Sequence, residues 1–136
     1  MSYLGQPLNG VPTYFPFGTV ENPVVASGST DALPNTSATI LVMSAGVNAM
    51  TLAKPKAGVY SAMQAKIQSL GDVGDDGKMI LVVLGTAQLH TITTPTNGIN
   101  GSKHLVTFTA VIANYVWLIA IGGTWYVVGQ QGATIT

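Results

Sequence analysis

The chain has 136 residues, 47% of them hydrophobic and only 7% charged, with no cysteine and a formal net charge of zero. The missing cysteines exclude disulfides, thiol chemistry and cysteine-ligated zinc. Five lysines balanced by five acidic residues provide neither the basic face that nucleic acid requires nor the polybasic segment that anionic lipid attracts.

The length suits one domain. An ordinary globular domain carries roughly a quarter charged residues, and a surface so poor in charge favours self-association unless it is buried against something. Residues 1–35 hold five of the seven prolines, at 7, 12, 16, 23 and 34. Proline fixes φ and removes a backbone donor, which disfavours central strands and helix interiors. The same segment carries Tyr3, Leu4, Tyr14, Phe15 and Phe17, whereas disordered tails are poor in aromatics. It reads as an extended arm that gains order by lying on another surface, with a meandering loop packed on its own domain as the alternative, ahead of a β domain over residues 36–136. The opening residues lack a basic run followed by an apolar one, so no signal peptide is expected.

Thr36–Met43 reads as the first firm strand. Asn48–Ala53 alternates with period two and reads as its hairpin partner around Ser44-Ala45-Gly46. In Gly58–Gly71, Val59, Met63, Ile67 and Leu70 recur at helical spacing, which suggests a short amphipathic helix over Tyr60–Ser69, with a strand as the alternative. Lys78–Leu84 and Gln88–Thr94 read as a second hairpin around Gly85-Thr86-Ala87. Two Asn-Gly turn signals follow within residues 96–101, then a strand over His104–Ala110. Tyr115–Gly129 reads as a hairpin on Gly122-Gly123, since glycine tolerates the positive φ that tight turns need. A short strand at Ala133–Thr136 ends the series. Leu105–Val128 is uncharged over more than 18 residues, but Asn114, the Gly-Gly turn and the β-branched residues favour strands over a membrane helix. About eight short strands separated by frequent turns predict an all-β fold, a compact antiparallel sandwich or barrel.

In the last hairpin Tyr115, Trp117, Ile119 and Ile121 point one way, and Val116, Leu118 and Ala120 the other. A strand with one wet face should alternate apolar and polar residues. Both faces here are apolar, and a small domain covers little of its own surface. One face is therefore expected to meet the chain's own core and the other a second copy or a larger assembly. Trp117, Ile119, Trp125 and Val127 are the candidates for core or subunit packing.

Catalytic and metal-binding patterns are weak. Five residues separate Gly71 from Gly77, and Met79 stands where a phosphate loop needs Ser or Thr. Asp72, Asp75 and Asp76 lack the spacing and downstream glutamate of a calcium loop. His90 and His104 fall on different strands without a third ligand, and no Gly-x-Ser-x-Gly elbow occurs. Histidine in a structural role, no metal, no cofactor and no enzymatic activity are the expectations. The aromatics of the last hairpin fit packing, with carbohydrate stacking as the alternative.

Four segments carry a family resemblance: Met50-Thr-Leu-Ala-Lys-Pro, Asp76-Gly-Lys-Met-Ile-Leu, Ala87-Gln-Leu-His-Thr-Ile-Thr and Gly122-Gly-Thr-Trp-Tyr-Val-Val-Gly. In this order the chain resembles, over roughly residues 37–136, a domain of tailed-bacteriophage head decoration (cement) proteins and head fibres. It departs from that pattern at Tyr60–Val73 and at Leu89. The resemblance implies trimers on the capsid exterior, with the amino-terminal arm on the major capsid protein and no enzymatic activity. Tyr3, Leu4, Tyr14, Phe15 and Phe17 would then make the capsid contact. A receptor- or glycan-binding fibre module is the alternative.

Overall fold

A computed structural model describes residues 23–59 and 73–136. The described residues contain nine strands and no helix. They are β1 (Val24–Ala26), β2 (Ala38–Val42), β3 (Ala49–Thr51), β4 (Met79–Leu84), β5 (Thr91–Thr93), β6 (Leu105–Phe108), β7 (Tyr115–Ile121), β8 (Thr124–Gln131) and β9 (Ala133–Ile135). The helix expected over Tyr60–Ser69 lies outside the described residues.

The strands form two sheets, one in the order β1-β2-β4-β7-β8 and the other β3-β5-β6-β9. The all-β sandwich expected from the strand spacing is present, but the sheets are mixed rather than purely antiparallel. β1 with β2, β2 with β4, and β3 with β5 pair in parallel.

Two expected hairpins are corrected by this topology. β2 and β3 lie in different sheets, as do β4 and β5. Ser44-Ala45-Gly46 and Gly85-Thr86-Ala87 therefore carry the chain across the sandwich instead of reversing it within one sheet. The reason is side-chain burial. β2 and β4 share one inward row, Ala38, Ile40 and Val42 beside Ile80, Val82 and Leu84, all buried. Bringing these six inward side chains together removes more apolar area from water than a local β2–β3 hairpin of three paired residues.

The third hairpin forms as expected. Gly122 and Gly123 adopt φ of 59° and 83°, and β7 pairs with β8 with a bulge between Trp117 and Leu118. At Gly132 (φ 62°) the chain leaves the larger sheet and enters β9 of the smaller one.

Residues 23–35, the end of the proline-rich segment, belong to both sheets. β1 edges the larger sheet, and residues 29–33 run beside β3 through Ala49 N–H to Ser29 O, Thr51 N–H to Asp31 O and Leu33 N–H to Thr51 O. The core between the sheets is aliphatic, with Phe108 and Trp125 as its aromatic members. Trp125 is fully buried, and its indole N–H donates to Ala53 O at 2.9 Å.

Candidate interaction surfaces

Strand alternation sorts the four expected packing residues into two pairs. Trp125 and Val127 stand opposite Ala120 and Leu118 and face the core. Trp117 and Ile119 face outward and are half-buried. Register extends this outer face across the larger sheet in three rows. One runs Val25, Leu41, Val83, Tyr115 and Gln131, the next Thr39, Leu81, Trp117 and Gly129, the third Met79, Ile119 and Tyr126. No position in these rows is charged, and most are aliphatic or aromatic. Gly129 lies in the middle row, where a β-carbon would stand in ordinary contact with the Tyr115 and Trp117 side chains, at 3.7–3.9 Å. Tyr3, Leu4, Tyr14, Phe15 and Phe17 lie outside the described residues.

The two ends of the sandwich differ sharply in chemistry. Seven residues of Lys, Asp and Glu type fall among the described residues, and six of them, Lys54, Lys56, Asp75, Asp76, Lys78 and Lys103, lie on the loops at the end where β3 and β5 finish and β4 begins. Several of these charges are structural. The Asp75 carboxylate accepts Lys56 N–H (2.7 Å), Lys78 Nζ (2.5 Å) and Asn35 Nδ2 (3.2 Å), and Asp76 accepts Gly122 N–H (2.8 Å) at the hairpin tip. The hydrogen bond from Lys56 N–H, followed by the Lys78 contacts, holds the Asp75 carboxyl below its ordinary 3.8. These bonds make the aspartate cluster a turn clamp.

At the opposite pole the loops 43–48, 85–90 and 109–114 lie side by side. They expose Met43, Val47, Leu89, Val111 and Ile112, each between 44% and 60% accessible. The sequence offered no periodic signal for this cap, because its residues sit singly in turns. Among the described residues only Asp31 brings charge to this pole, and its carboxylate accepts Gly28 N–H and Asn48 Nδ2 at 2.8 Å each.

Directly beneath the cap is a neutral polar network. His90, Asn48 and Ser44 are buried. The Asn48 N–H donates to His90 Nδ1 at 3.0 Å, and Asn48 Nδ2 donates to Ser44 Oγ at 3.0 Å. Thr86 Oγ1 donates to Ser44 O at 2.7 Å and meets His90 Nε2 at 3.0 Å. Both ring nitrogens of His90 are thereby tied into this network. His104 is exposed at the start of β6, where its backbone bonds Thr136 and Thr94.

Among the described residues no three His, Asp or Glu side chains gather as a metal site would require. An open recess of about 350 Å³ lies against Thr51, Leu52, Thr93, Thr94 and Pro95, without a titratable side chain. No helix among the described residues is long and apolar enough to cross a membrane. No protein-family model and no curated protein matches the chain.

Proposed function

We propose that the chain is a structural virion protein, a decoration (cement) protein that binds the outside of a tailed-phage head as an oligomer, a homotrimer by the family resemblance. The observation that supports this reading best is the outer face of the larger sheet, whose three rows carry no charge. A face of five strands spaced about 4.8 Å and about six residues long covers roughly 500 Å². A standard interface needs about 800 Å² per partner, so this face supplies more than half of what one contact between copies needs, and the arm is left for the capsid.

The arm residues Tyr3, Leu4, Tyr14, Phe15 and Phe17 would bind the major capsid protein across a subunit boundary. Capsid expansion must then break those contacts first. Apolar burial at about 25 cal/mol per Å² makes even a short arm effective, and tethering several arms in one oligomer raises their local concentration.

The test is native mass measurement of the full chain, followed by co-sedimentation with capsids assembled from the accompanying major capsid protein. Deleting residues 1–20 should leave a folded oligomer that no longer sediments with capsids. Full capsid binding by the truncated chain would remove the arm mechanism, and a monomeric full chain would remove the oligomer.

A further inference from the structure

The apolar pole rests on one titratable ring. Both ring nitrogens of His90 are engaged, Nδ1 with Asn48 N–H and Nε2 with Thr86 Oγ1. The Thr86 hydroxyl already gives its proton to Ser44 O, so at Nε2 the ring is the donor. The network therefore specifies a neutral imidazole protonated on Nε2 and accepting on Nδ1. A second proton has one place to go, Nδ1, where it would confront another donor.

Breaking that contact does not stop at the ring. Asn48 is the residue that ties the loops together. Its Oδ1 accepts Asp31 N–H (3.1 Å) and its Nδ2 reaches Asp31 and Ser44. Thr86 and Gln88 Nε2 in turn hold Ser44 O and Ala45 O.

We propose that His90 is an acid-sensitive latch: protonation of its ring releases loops 43–48 and 85–90 and takes apart the apolar cap they present. The described groups bonded to the ring are Asn48 N–H from the first loop and Thr86 Oγ1 from the second; Ser44 stands behind both, and Gln88 and Phe108 bond the His90 backbone. None of these titrates. The Asp31 carboxylate connects to the ring through Asn48.

Burial, the larger effect, pulls the ring below its ordinary 6.5, with a hydrogen bond to the Thr86 backbone opposing it. The folded state then binds fewer protons than the unfolded chain once the pH falls below 6.5. Stability is complete above 6.5 and declines as the pH drops towards the folded-state value, by up to about tenfold in the folding constant per pH unit. The latch is a property of the isolated chain and stands apart from the function proposed above.

The experiment is ¹⁵N imidazole and amide NMR of the full chain from pH 8 to 5, with urea unfolding at each pH. The expected result is a neutral, Nε2-protonated ring at pH 6.5, with the Asn48 amide losing protection from exchange in step with protonation. His90→Gln, which does not titrate in this range, should flatten the pH dependence of unfolding. If that variant does not fold, the wild-type ring and amide titrations decide alone. A ring that titrates at its ordinary value, or an Asn48 amide still protected once the ring is charged, overturns the latch and leaves the docking reading intact.

Discussion

The corner between β8 and β9 is the most confined backbone position described, and Gly132→Ala tests it. Gly132 sits at φ 62°, where a β-carbon costs about 1–2 kcal/mol. A methyl group there would also overlap the Asn114 amide. That amide is buried and cannot simply swing away. Its Nδ2 holds Thr109 O at 3.1 Å, Thr109 Oγ1 at 2.7 Å and Gly132 O at 3.3 Å. Displacing it leaves buried polar groups unsatisfied, at about 1–3 kcal/mol. The expected destabilisation is therefore about 2–5 kcal/mol, read as a fall in the urea midpoint. Asn114→Ala alone should also destabilise, since it strips the same bonds. The double variant should lose less than the two single losses together, because the overlap is removed while the φ strain stays. A Gly132→Ala chain within 1 kcal/mol of wild type, or strictly additive losses, would refute the corner as described.

Three further outcomes follow from the same geometry. Trp125→Phe should cost about 1–3 kcal/mol, because it leaves Ala53 O without its indole donor, and Trp125→Ala about 3–5 kcal/mol through the cavity left in the core; calorimetry ranks the two. Asp75→Asn should flatten the acid limb of stability. The carboxyl titrates below its ordinary 3.8 in the fold, so its contribution is present above 3.8 and lost as the pH falls below it, an effect visible in acid titrations followed by circular dichroism. Tyr126→Lys combined with Ile121→Lys places charge on two exposed positions of the β7–β8 hairpin, Tyr126 on the outer face itself. The fold should persist while the native mass falls to that of one chain, and an unchanged mass would clear the outer face of any role in assembly.

Strand alternation was legible because side-chain direction is a local property. It separated Val116, Leu118 and Ala120 from Trp117 and Ile119 correctly, and the Gly122-Gly123 turn formed where the residues called for it. Pairing partners were not legible. Ser44-Ala45-Gly46 marks a change of direction equally well whether the chain turns within a sheet or crosses to the opposite one. The choice is made by Ile80, Val82 and Leu84, some forty residues on, which share the inward row with Ile40 and Val42. The apolar pole was hidden for a similar reason. Met43, Leu89 and Ile112 become neighbours only once three crossings end at the same height. Val24–Ala26 was obscured by the prolines around it, yet a parallel edge position beside β2 tolerates their proximity.

The placement of charge has a consequence for docking that salt can test. Both poles must satisfy exposed turn backbone, and they do so by different chemistry. The charged pole uses Asp75 and Asp76 on the N–H groups of Lys56 and Gly122. Apart from Asp31 on Gly28 N–H, the apolar pole uses neutral Asn48, Asn114, Thr86 and Gln88, which leaves Met43, Val47, Leu89, Val111 and Ile112 with little charge around them among the described residues. A contact made through that pole has almost no charge to screen, so its affinity should hold from low to high sodium chloride and rise in sulfate, which strengthens apolar burial. A contact made through Lys54, Lys56 and Lys103 would weaken steeply over the same range. Measuring capsid co-sedimentation of the full chain against salt therefore separates an apolar contact, made by the arm or by that pole, from one made by the lysine-bearing end, to which a steep loss of binding would assign it.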